Sequence, residues 1–159
     1  MDSEKVLRAQ LVKLLNEAQA HADFKKVFNG VPPALRGEVP KGVPHSLWQL
    51  LEHLRLAQWD ILDFSRNPKY KELKFPDDYW PKSAQPPSEA AWDKSIKEFE
   101  KDLGEMTKLI EGSKTDLYAK IPHGEGQTIL REVLVLADHN AYHVGQAVLV
   151  RRLLGNWKD

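Results

Sequence analysis

No cysteine occurs anywhere in the 159 residues. Disulfides, thiolate-ligated zinc and catalysis by a cysteine of the chain are thereby excluded. A transition metal would have to be held by histidine and carboxylate. Charge of one sign is also missing: Lys plus Arg number 23 and Asp plus Glu number 23. No net field draws the chain to nucleic acid or to anionic lipid, and no basic run offers itself to a phosphate backbone. No apolar run approaches the roughly 20 residues needed to cross a bilayer, so no membrane association is expected. The opening "MDSEKVLRAQ" has no basic segment leading into an apolar core, so a secretory signal is not expected and a cytoplasmic location is. Strand-like alternation, internal repeats and low-complexity tracts are absent too.

What is present is a globular balance, with 42% apolar and 29% charged residues, in a length that suits one domain, 1–159, with one continuous core. Four helical segments separated by loops rich in proline and glycine are expected. The first runs from about Ser3 to Asn29, with Val6, Leu7, Leu11, Leu14, Leu15 and Ala18 at helical spacing and Gly30 as its stop. The second opens at Ser46, capped by that hydroxyl with Gln49 completing a capping box, and ends near Arg66. A long loop over residues 67–87 carries five prolines and the aromatic cluster "DDYWP", placed to pack over the end of a bundle. The third helix follows Ser88 and runs to Glu111, with Trp92, Ile96, Phe99, Leu103, Met106 and Ile110 on one stripe. The fourth covers about Thr128 to Leu154 and is the most apolar, hence the one expected to be most buried. An all-α four-helix bundle with long loop connections follows.

Six histidines are present. His139 and His143, in "LADHNAYHVGQ", lie four residues apart and so project from one side of the fourth helix, among Glu132, Leu136, Gln146, Ala147 and Val150. The pair reads either as two satisfied core imidazoles or as half of a metal site. A catalytic site needs a third protein ligand and an open position. His53 borders the stripe Leu47, Leu50, Leu54, Ala57 and Ile61 of the second helix and is the natural candidate. Three buried imidazoles without carboxylates nearby are costly in a dry core, and a metal ion would satisfy all three. His21 reads as solvated, His45 as a helix-start contact and His123 as a surface loop residue.

The segments "PHSLWQLLEHLRLAQWDILDFSR" and "DHNAYHVGQAVLVRRLLG" together resemble the DinB-like (YfiT-like) metalloenzyme family, over nearly the whole chain. The resemblance implies a four-helix bundle, often dimeric, with a divalent metal held by His53, His139 and His143. It also implies activities ranging from thiol-dependent S-transfer or isomerisation to hydrolysis of small molecules. The expected function is therefore a divalent-metal-dependent enzyme, with zinc or nickel favoured and iron or manganese compatible with the ligands. Any thiol must arrive as a low-molecular-weight cosubstrate, since the chain has none. Glu132, Gln146 and Tyr142 are candidates to orient a ligand or back up the metal ligands; Glu132 and Gln146 also read as ordinary buried or rim polar groups, and Tyr142 as packing at the bundle edge. Asp138 points about a quarter-turn away, and Arg151 and Arg152 read as a helix end or as an attractor for an anionic cosubstrate.

The alternative is a non-enzymatic dimeric module, stress-related or small-ligand-binding, whose metal is structural or vestigial. Trp48 and Trp59 are read as lying together on the outer side of the second helix. They form either a homodimer surface or a patch buried under the loop that carries Tyr79 and Trp80.

Overall fold

The computed structural model describes residues 2–158. Its elements are α1 (Ser3–Asn16), α2 (Phe24–Phe28), a 3-10 turn (Pro33–Leu35), α3 (Leu47–Arg66), α4 (Glu89–Glu111) and α5 (Ile129–Leu153). No strand forms among the described residues; an isolated bridge between Lys120 and Thr128 is the extent of β pairing there. None of the helices is long and apolar enough to cross a membrane.

α3 packs against both α4 and α5, and α1 closes the bundle by packing on the same two helices. The four long helices therefore form a ring in the order α1, α4, α3, α5, which makes the all-α bundle that the periodicity predicts. Capping follows the sequence closely. The Ser46 hydroxyl accepts from the Gln49 amide while the Gln49 side chain accepts from the Ser46 amide. The same hydroxyl donates to the Ala84 carbonyl at 2.6 Å, which ties the start of α3 to the long loop. Ser88 and Thr128 cap α4 and α5, and Gly155 ends α5 at φ +67°, a conformation that favours glycine.

Three expectations are corrected. The first helix does not run to Asn29. It stops at Asn16, and the chain restarts as α2 with Asp23 accepting from the Lys26 amide at 2.7 Å. Between Leu15 and Phe24 the only apolar side chains are alanines, too small to hold a helical face on the core. The restart turns Val27 and Phe28 fully inward. Second, α5 is not the most buried helix. Of the 20 residues of α3, 11 are buried, against 8 of 25 in α5, because α3 is covered on two sides while α5 leaves Leu134, Tyr142, Leu149 and Leu153 exposed. Third, Trp48 is not on an outer surface. It is buried, with its ring 6.5 Å from that of Trp92 on α4, and only Trp59 is exposed.

The core divides in two along the bundle. One cluster gathers Phe28, Leu47, Leu51, Leu54, Trp92, Phe99, Val144 and Ala147, and the other Leu62, Met106, Ile110, Ile129, Val133 and Leu136. A polar layer crosses the bundle where Gln58 of α3 donates to the Phe99 carbonyl of α4 and accepts from the Asn140 amide of α5. Replacing the helix-start cap gives a direct check on this framework. Ser46→Ala is expected to lower unfolding stability by about 1–2 kcal/mol in a urea titration, because both the cap and the tether to Ala84 are lost.

Candidate metal centre

α3 and α5 lie side by side, and their facing surfaces bring together the three histidines singled out by spacing. His139 and His143, one turn apart on α5, face His53 on α3. The Nε2 atom of His53 lies 3.1 Å from Nε2 of His143 and 3.0 Å from Nε2 of His139. One nitrogen from each ring falls within 4.8 Å of the others, so the three could hold a metal ion. His53 and His143 are buried and His139 is partly so.

The outer nitrogens settle what the inner ones can do. Nδ1 of His53 lies 3.1 Å from the Tyr79 carbonyl oxygen, which can only accept, so the proton sits on Nδ1. Nδ1 of His143 lies 2.8 Å from the Gln146 amide oxygen and donates to it in that amide orientation. Both inner nitrogens then carry bare lone pairs, pointed at one another across 3.1 Å. Such a contact is repulsive without a cation between them. A tetrahedral ion with metal–nitrogen bonds of about 2.0–2.1 Å places its ligand nitrogens roughly 3.3 Å apart. The donor set and its spacing thus fit a divalent transition metal.

Protons do not compete strongly for the site. Burial, with the neighbouring imidazoles adding to it against the Tyr79 bond, lowers the His53 pKa to about 3. His139 falls to about 4 through burial and the nearby His143, with the Asn140 amide and the Asp138 charge offsetting part of the shift. His143 is also lowered by burial, against the Gln146 bond. All three are neutral ligands near pH 7.

The long loop builds the wall of the site. Buried Asp60, seven residues after His53 on α3, accepts from the hydroxyls of Tyr70 at 2.9 Å and Tyr79 at 2.6 Å. Burial and these bonds push both phenols well above their usual range, so they remain donors. The anchored loop sets the Tyr79 carbonyl on His53 and stacks Trp80 on the His53 ring at 3.8 Å and 8°. His45 stacks on the opposite face of Trp80 at 3.9 Å. The "DDYWP" cluster therefore packs on the site itself.

The other sequence candidates divide. Gln146 backs His143 as described. Glu132 does not join the cluster: it is buried two turns away and bonded to Arg131 at 2.7 Å. Tyr142 is 64% exposed and meets His143 only through its ring, 4.9 Å away and nearly perpendicular. His21 is exposed, as expected, and His123 sits at the surface with Nε2 on the Phe64 carbonyl. Arg151 is engaged within the chain. It bonds the Val27 and Asn156 carbonyls and lies over the Trp157 ring. A separate cavity of about 520 Å³, lined by Phe24, Leu103, Ala137, Ala141 and Val144 among others, lies on the side of α5 away from the imidazoles.

Asp60, Tyr79, Trp80, Gln58 and Asn140 were not singled out as site residues by spacing. Asp60 had a readable signal, its seven-residue interval from His53 on one helical face. A loop carbonyl such as that of Tyr79 leaves none. No curated protein and no solved structure matches the chain. The family described as the DinB superfamily matches residues 17–147, which include all three clustered histidines. On that match, covering most of the chain together with an all-helical bundle, the protein belongs to the DinB superfamily.

Proposed function

We propose that the protein is a divalent-metal-dependent enzyme acting on small molecules, with the ion held by Nε2 of His53, His139 and His143. The observation that carries this reading is the pair of bare lone pairs on His53 and His143, facing each other at 3.1 Å with both outer nitrogens already bonded to oxygens. Zinc or nickel suits three neutral imidazoles best, with iron or manganese compatible. Bound there, the ion would supply Lewis acidity to water in a hydrolysis or to an external thiol in an S-transfer.

The protein's own groups prepare that chemistry. Three uncharged ligands leave the charge of an ion undiminished, and the lowered imidazole pKa values keep the nitrogens free of protons. The Trp80 ring covers one face of His53 and keeps water from that side. The thiol of a transfer reaction must be a low-molecular-weight cosubstrate, because the chain contains no cysteine.

A homodimer is the proposed assembly, on different ground from the tryptophans. Leu134, Tyr142, Leu149 and Leu153, with Ala141 and Gly145 between them, recur at helical spacing along one side of α5, and the four large side chains are exposed. A second copy of this helix would bury that stripe, with the small residues allowing close approach. Sedimentation is expected to show a dimer that Leu149→Glu converts to monomer; a wild-type monomer at high concentration would refute it.

Two further outcomes test the site. The purified protein is expected to hold one equivalent of zinc or nickel, and His53→Ala or His139→Ala to lose it. Thiol-dependent transfer or hydrolysis that persists after the metal is stripped would sink the mechanism. For the metal-free protein, the folded pKa values of about 3 and about 4 lie below the ordinary histidine value. The unfolded chain therefore binds more protons as pH falls below about 6.5. Stability is complete above that pH and is expected to fall from about pH 6.5 toward the folded values of about 4 and about 3 in the presence of a chelator, with a shallower fall in His53→Phe. A melting temperature flat across that window would contradict the assignment of three buried neutral imidazoles.

A further inference from the structure

The three imidazoles are not equally supported at their outer nitrogens. His53 has the Tyr79 carbonyl and His143 has the Gln146 amide oxygen. Nδ1 of His139 is buried with no hydrogen-bond partner. Metal-ligating histidines donate their other N–H to an oxygen, which fixes the ring and raises its basicity. One oxygen is missing from the set.

The next residue carries the complementary defect. Oδ1 of Asn140 is also buried without a partner. Its amide orientation follows from a chain of bonds through the polar layer. The Phe99 carbonyl can only accept, so Gln58 must present Nε2 to it, at 2.6 Å. The Gln58 oxygen then faces α5 and takes the Asn140 Nδ2 at 3.1 Å. Asn140 is left with its oxygen as the free end of the chain. A flip of either amide would set acceptor against acceptor or donor against donor. Gln58 is fully buried, so no solvent relaxes this constraint. A buried imidazole nitrogen and a buried amide oxygen, neither in a hydrogen bond of good geometry, therefore stand on adjacent residues, near enough to interact.

We propose that Asn140, oriented by Gln58, is the positioning residue for His139: its Oδ1 accepts the Nδ1–H of that ring when Nε2 is committed to a metal ion. This rests on the tri-histidine reading and extends it to the third ligand. The same chain couples the site to α4, since it ends on the Phe99 carbonyl. His139 would then be held by α3 and α4 as well as by its own helix.

Competition titration with zinc, on protein stripped and reloaded, tests the assignment, with Asn140→Leu and Asn140→Asp as variants. Asn140→Leu removes the acceptor and is expected to weaken zinc binding by about 10–100-fold. Asn140→Asp keeps an oxygen for His139 but sets it against the Gln58 oxygen. Its affinity is expected to equal or exceed that of the wild type while its melting temperature falls. In nitrogen-edited NMR of the zinc-loaded protein, a protected His139 Nδ1–H signal is expected in the wild type and in Asn140→Asp, and is expected to vanish in Asn140→Leu. Wild-type affinity in Asn140→Leu would overturn the proposal. So would parallel losses of affinity and stability in both variants, which would make Asn140 a purely structural residue. A wild type that binds no zinc, with His53→Ala unchanged from it, would instead defeat the tri-histidine reading itself.

Discussion

The arrangement of the bundle turns on two imidazole lone pairs held 3.1 Å apart in its interior. Leaving them so is unfavourable, and several other contacts exist in a form that keeps them so. The Tyr79 carbonyl fixes the His53 tautomer, and the Gln146 oxygen takes the His143 Nδ1–H in its present amide orientation. Asp60 holds the loop that delivers the carbonyl, through two tyrosine hydroxyls. A core built for stability alone would fill this space with aliphatic side chains and avoid the desolvation cost of three histidines. The polar layer between the two apolar clusters is thus the part of the fold whose chemistry exceeds what folding requires.

The apolar clusters on either side give that layer its rigidity. Leu54 and Val144 belong to one cluster, and Leu62 and Leu136 to the other. Each pair comes from α3 and α5, the helices that carry the histidines. Packing that fixes the separation of these two helices therefore fixes the nitrogen separations as well. α4 contributes by covering the other side of α3 and by offering the Phe99 carbonyl to Gln58. Protein groups arranged in this way can receive an ion with little further ordering, which is how a preorganised site gains affinity.

Much of this was legible in the sequence, for definite reasons. The interval between His139 and His143 matches one helical turn, and His53 sits on the border of an apolar stripe, so helix geometry alone makes them candidates to meet. Ser46, Ser88 and Thr128 mark helix starts because a hydroxyl cap is a local interaction between residues close in sequence. What escaped depends on contacts across the chain. Trp48 misled because α3 is buried on two sides, so a residue off its main apolar stripe still reaches the core against Trp92. The break after Asn16 escaped because alanines carry helix propensity without the bulk to hold a helix on its neighbours. The support of His53 comes from a loop carbonyl, and every residue type at that position offers much the same carbonyl. Glu132 shares the histidine face of α5, yet it lies two turns from the cluster and bonds Arg131.

The fold leaves the reaction to the site, since helical bundles host many chemistries. The central claim is that one ion sits among the inner nitrogens of His53, His139 and His143. X-ray absorption of the zinc- or nickel-loaded protein addresses it most directly, because scattering from imidazole rings counts histidine ligands. Three imidazoles at about 2.0–2.1 Å with at least one further light-atom ligand is the predicted result for zinc. A first shell with one imidazole or none, in protein that binds metal stoichiometrically, would contradict it.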